Sequence, residues 1–233
     1  MRVVSALLLL VLGSVVALGA WGAAARQGAA ELSLSDDPGA LTGWRLAALA
    51  DEGPRCRALL ADAGVRFQAL PGRPGQRCGP REPVRLAGGA STLGLRPADV
   101  APSCPVAAAL VLWEWHVVQP AARRHFGTRV ATVEHYGSYS CRRIGSRPDA
   151  GWSEHATAKA IDVAAFRLAD GRRVTVLGDW PGEDASARFL REVRDGACGL
   201  FATVLSPDYN RAHRDHLHLD QAARGATGWR ACR

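Results

Sequence analysis

Two short stretches of this chain carry residue types suited to chemistry: Ser153-Glu154-His155 running on to Asp162, and His213-x-x-His216-x-His218. Histidine and aspartate in this pattern suit a hydrolytic zinc site, where three protein ligands leave a fourth position for water. His155, Asp162 and one histidine of the second cluster supply that set. Of the 7 histidines, four lie in these segments. His116, His125 and His135 stand alone and read as structural. Asp162 sits in the otherwise apolar run 160–166, where an unpaired charge is costly and a bound cation removes the cost. The competing reading pairs Asp162 with an arginine and leaves the histidines as a hydrogen-bonded surface cluster.

Local pattern supplies elements to hold these groups. Residues 160–166 read as a buried strand, with Ile161 and Val163 on one face and Asp162 on the other. Leu217 and Leu219 alternate with His216 and His218, so a strand here puts both imidazoles on one face about 7 Å apart. One can bind metal while the other sits beside the open position. Residues 54–64 suit a short helix, and 71–85, rich in Pro, Gly and Arg, a loop. Ser103 and Pro105 can open a helix whose apolar face carries Ala109, Leu110, Trp113 and Val117, until Pro120 bends or ends it. Trp113 and Trp115 read as core and rim residues. Strands are expected at 129–136, 172–177 and 200–205, and an amphipathic helix at 184–197 with Phe189, Leu190 and Val193 inward. Helices and strands mix without strict βαβ alternation. The expected class is therefore α+β, a mainly antiparallel sheet flanked by helices.

Ser153-x-His155-x-x-Ala158-x-Ala160-x-Asp162 is one residue from the Ser-x-His-x-x-Gly-x-Ala-x-Asp signature of the D-alanyl-D-alanine metallopeptidase, lysostaphin and hedgehog superfamily. A longer set of segments resembles the extensin-like C-terminal domain family of bacterial envelope proteins over about residues 54–233. These are Tyr139-Ser140-Cys141-Arg142, Ser153-Glu154-His155, Asp162-Val163-Ala164-Ala165-Phe166, Phe189-Leu190-Arg191, Val204 to Asn210, and His213 to Asp220. The resemblance implies a hedgehog or D-alanyl-D-alanine-peptidase-like fold, with His155, Asp162 and His218 as zinc ligands and His216 as the acid/base histidine. It implies an assisting role for His213. Asp215 stands where other members place a glutamate base, and is the second choice for base after His216. Ser153 and Arg142 are implied to bind a substrate carboxylate, with Arg143 equally placed by sequence. The signature glycine is Ala158 here, followed by Lys159; if that position needs positive φ, alanine carries roughly 1 kcal/mol of strain.

At 233 residues, 48% of them hydrophobic, the chain can form one sizeable domain with an N-terminal appendage. Residues 3–25 are uncharged and apolar, which suits a signal anchor or a cleaved signal peptide and implies N-terminal membrane association and export. Residues 26–53 are polar and small and read as a linker, leaving 54–233 as the domain. The 6 cysteines are dispersed rather than paired as Cys-x-x-Cys, which favours disulfides over a thiolate metal site. A local Cys56–Cys78 link is the expected pairing. The net charge is +7, and all but one of the 29 basic residues are arginine. Such a charge on an exported domain favours peptidoglycan or another anionic envelope polymer as partner. Nucleic acid is not expected, since the arginines are dispersed and no recognition motif accompanies them. Taken together, the expectation is a periplasmic or membrane-anchored zinc peptidase or amidase acting on peptidoglycan peptide crosslinks. The alternative is a non-catalytic, zinc-containing envelope binding module.

Overall fold

The computed structural model describes residue 13 and residues 32–73, 77–89, 92–224 and 229–233. The chain divides into two compact units, 1–33 and 34–233. The leader or anchor expected at 1–25 lies, apart from Gly13, outside the described residues. Among the described residues no helix is long and apolar enough to cross a membrane.

Unit 34–233 is α+β. Helix α1 (Thr42–Ala48) and α2 (Gly53–Asp62) precede a small antiparallel hairpin of β1 (Phe67–Ala69) and β2 (Val84–Leu86). Then come β3 (Gly94–Arg96), α3 (Cys104–Trp113), α4 (Gln119–Phe126), β4 (Val130–His135), β5 (Ala160–Leu168) and β6 (Arg173–Thr175). Helix α5 (Ala185–Cys198) leads to β7 (Thr203–Leu205), β8 (Leu217–Asp220) and β9 (Ala231–Cys232). The main sheet runs β3-β4-β5-β8-β7-β9, with β6 also paired to β5. The β3–β4 and β7–β9 pairings are parallel and the others antiparallel.

One layer of the core is built by Trp113, Phe166, Phe189 and Phe201, all buried. Trp113 meets Phe166 and Phe201 at ring-centroid distances of 5.8 and 6.5 Å, and its indole N–H donates to the Val193 carbonyl at 2.8 Å. Helix α5 forms as its pattern predicts: the Asp184 carboxylate caps it by accepting from the Ala187 N–H, and Phe189, Leu190 and Val193 point inward. Gly196 lets α5 approach closely, because a Cβ there would collide with Val117.

Helix α3 departs from expectation. All ten of its residues are buried, so it has no solvent face and must be covered on every side. Residues 34–53, which composition read as linker, supply part of that cover: Leu34, Leu46 and Leu49 are each at most 1% exposed, and α1 packs on α3. The linker reading is corrected over 34–53, where a few buried leucines outweigh a polar average. Pro120 does not end the helical path either. A π-turn, Glu114–Val118, precedes it, and Pro120 then falls in the first turn of α4, where a missing N–H costs least.

Strand β6 is shorter than 172–177, because the Thr175 hydroxyl and the Asp179 carboxylate cap a one-turn helix, Val176–Asp179. The cysteines form Cys56–Cys104, Cys78–Cys141 and Cys198–Cys232, which overturns the Cys56–Cys78 pairing. Cys56 lies on α2 and meets the start of α3, whereas Cys78 is carried to the loop after β4. Three disulfides point to an oxidising, extracytoplasmic environment.

Candidate metal centre

Asp162 and His218 are direct cross-strand partners in the antiparallel β5–β8 ladder. A one-residue change of register would send one of them to the opposite face, so the ladder fixes their convergence. His155 arrives from the turn that feeds β5. That turn, Glu154–Thr157, is a single 3₁₀ turn whose first N–H groups need a partner; the Ser153 hydroxyl accepts from the His155 N–H at 3.3 Å. Ala158 closes it at φ 57° and ψ 25°, in the left-handed region, and its buried methyl faces no solvent. The chain thus takes the glycine-like conformation with alanine.

The three side chains meet. His155 Nε2 lies 3.2 Å from Asp162 Oδ1, His218 Nδ1 lies 2.9 Å from the same oxygen, and the two histidine nitrogens are 3.2 Å apart. One ligand atom from each falls within 4.8 Å of the others, so this buried group could hold a metal ion.

The opposite ring nitrogens are anchored as metal-binding imidazoles usually are. His155 Nδ1 donates to the Ser138 carbonyl at 2.9 Å, and His218 Nε2 to Asp220 Oδ2 at 3.1 Å. Those contacts leave His155 Nε2 and His218 Nδ1 both facing Asp162 Oδ1. Two imidazoles and one carboxylate, with no thiolate among them, are nitrogen and oxygen donors of the kind that divalent metals take.

Charge is strongly coupled within the cluster. Burial alone would raise the Asp162 pKa, but hydrogen bonds to His155 and His218 outweigh it and hold the carboxyl far below the usual carboxylate range. Burial likewise disfavours a charge on His218, yet its bonds to Asp162 and Asp220 prevail and push its pKa up to about 9. An anionic carboxylate thus faces a proton-loving imidazole, and a divalent cation bound here would have to displace that proton.

The remaining candidates stand around this group. His216 Nε2 is 3.6 Å from Asp162 Oδ1, and its Nδ1 is held by Asp215 Oδ1 at 2.9 Å. Asp215 therefore sits on His216 rather than on the three-residue group. The His213 ring lies 5.2 Å from that of His216, tilted, and 6.0 Å from that of His218, edge-on, with its Nδ1 on Asn210 Oδ1 at 2.8 Å. Burial, joined by the neighbouring His216 and His218, pushes its pKa down to about 4, so it is neutral at physiological pH.

Arg142 and Arg143, equal by sequence, differ here. Arg143 donates to the Ala150 carbonyl and covers the Trp152 ring. Arg142 is exposed and near enough to lower the affinity of His213 for a proton. The lone histidines have structural partners: His116 with Asp37, His125 with Glu192 and His135 with the Pro97 carbonyl.

Sequence reasoning gave no role to Asp220, Ser138 or Tyr136. Asp220 had a signal, since it lies two residues after His218 on one strand and so shares its face. Ser138 acts on His155 through its backbone carbonyl, which no side-chain pattern reports. Tyr136, 62% exposed, packs its ring 5.8 Å from that of His216.

The model of the family described as "Extensin-like protein C-terminus" matches residues 54–233. No curated protein and no solved structure matches the chain.

Proposed function

This chain belongs to the extensin-like protein C-terminus family, and we propose that it is an exported zinc hydrolase, periplasmic or tethered to the inner membrane, that cleaves peptide crosslinks of peptidoglycan. The observation that carries this reading is the convergence of His155, Asp162 and His218 with a third imidazole, His216, next to them and oriented by its own carboxylate. A structural site has no use for such an oriented, unligated base.

Bound by His155 Nε2, Asp162 and His218 Nδ1, zinc would supply a Lewis acid that polarises the scissile carbonyl and lowers the pKa of a water molecule. His216 takes a proton at Nε2 and returns it to the leaving amine. Asp215, bonded to Nδ1, fixes the tautomer that leaves Nε2 free and steadies the imidazolium that forms. Neutral His213 offers an uncharged hydrogen-bonding group beside it. Arg142, the unencumbered member of its pair, receives a substrate carboxylate with its guanidinium fork. Ser153 supports His155 by capping its turn, and its hydroxyl hydrogen stays available to a ligand.

The test is digestion of purified peptidoglycan by the zinc-loaded protein. Wild type should release new amine termini, and His216→Ala should do so roughly 10²–10⁴-fold more slowly with its zinc content unchanged. Equal, background-level release by both would favour the binding-module reading. Loss of zinc from His216→Ala would make His216 a fourth ligand and remove the base.

A further inference from the structure

Beside the metal centre runs a groove of about 580 Å³ along the exposed face of the sheet. Tyr136 and Asp215 belong to both its wall and the surroundings of His216. Its floor includes Ala164, the bulged residue of β5 two positions beyond Asp162. The small side chain there leaves room for a ligand to lie against the strand. Leu177, 58% exposed, forms part of the far side, and the volume lies within the range of sites that enclose small ligands.

The charges in this groove are unevenly satisfied. Glu134 is taken by two arginines, Arg167 at 2.8 Å and Arg173 at 2.6 Å. Arg96 lies directly opposite Glu134 in the β3–β4 register and also lines the groove, yet no described residue pairs with its guanidinium. An arginine fork lining such a groove is a bidentate receptor for a carboxylate.

We infer that this groove is a subsite for an extended peptide carrying an acidic residue, with the Arg96 guanidinium as the anchor of its carboxylate. The inference rests on the hydrolase reading in one respect, that the peptide's scissile bond lies at the metal centre. Spacing fixes where the acid falls. Arg96 is two strands from β5 and two residues along from the level of Asp162, since the Tyr136 N–H bonds the Asp162 carbonyl. Two strand spacings of about 4.8 Å and two residues of about 3.3 Å put the Cα atoms about 12 Å apart. The arginine side chain covers part of that distance, so the carboxylate belongs to a residue about three positions from the cleaved bond, at about 3.4 Å per extended residue.

The experiment uses the zinc-loaded full chain and synthetic peptides that differ only in Glu or Gln at that third position, placed on either side of the scissile bond. Wild type should cleave the Glu peptide of one side with a KM about tenfold or more below that of its Gln twin, as expected for a charge-assisted pair. Arg96→Gln should raise the KM of the Glu peptide to that of the Gln peptide while kcat stays the same, and Arg96→Lys should restore part of the difference. Equal KM values for each Glu and Gln pair in wild type, or a matched fall in kcat/KM for both in Arg96→Gln, would overturn the subsite. Calorimetric binding of the same peptides to the zinc-loaded protein separates the two claims. Arg96-dependent preference for the Glu peptide without any cleavage would keep the subsite and remove the hydrolase reading. Binding indifferent to Arg96 would remove the subsite alone.

Discussion

The carboxylate of Asp220 takes the Nε2–H of His218 at 3.1 Å, so that His218 Nδ1 is turned toward Asp162. Such an outer carboxylate fixes the ring's tautomer and makes the ligating nitrogen more basic. Asp220→Asn should therefore weaken zinc binding by about 10–100-fold without changing the protein's fold. Competition against a chromophoric chelator measures it. An unchanged affinity would mean that His218 does not ligate through Nδ1.

Ala158 sits at φ 57°, where a β-branched residue is a genuine outlier, and its methyl is fully buried. Ala158→Val should lose more than about 2 kcal/mol of stability. For Ala158→Gly, relief of the left-handed strain is offset by chain entropy and by a lost buried methyl, so stability should stay within about 1 kcal/mol of wild type. Urea unfolding of the two variants checks the order. A tolerated valine would show that the turn before β5 does not need this conformation.

Glu114 opens the π-turn between α3 and α4, with its Oε2 accepting the Leu93 N–H at 2.7 Å. Burial pushes its pKa up to about 7, against the opposing hydrogen bonds of Leu93 and Gln119. The folded state therefore holds this proton more tightly than the unfolded chain does. Its stabilising contribution is complete below the unfolded carboxyl range and is lost as pH rises toward 7. The loss is on the order of 3 kcal/mol. Glu114→Gln keeps an acceptor for Leu93 and should abolish this pH dependence, making the variant the more stable protein at about pH 8. Denaturation midpoints at about pH 5 and about pH 8 measure it. A wild type equally stable at both would refute the burial of a costly charge.

What could be read in advance follows from how local the cause is. The capped amphipathic helix α5 and the strand carrying Asp162 depend on neighbours within one element, so their side chains announce them. The meeting of His155 and Asp162 with one histidine of the second cluster was legible in motif spacing and strand alternation, whereas the choice of His218 came from the family resemblance alone. The cover that 34–53 provides was not, because it is demanded by the all-round apolar surface of α3 more than fifty residues later in the chain. Disulfide pairing failed for the same reason: Cys56 and Cys78 are near in sequence, but packing takes Cys56 to Cys104. The Ser138 carbonyl and the groove at Arg96 arise from strands assembling side by side, and no single segment contains either.

The central claim is that His155, Asp162 and His218 hold one divalent ion. Elemental analysis of the full chain purified without chelators, beside Asp162→Asn, tests it most directly. The expected result is one equivalent of metal per chain, chiefly zinc, and its loss from the folded Asp162→Asn protein. A metal-free wild type, or equal metal in the two proteins, would contradict it.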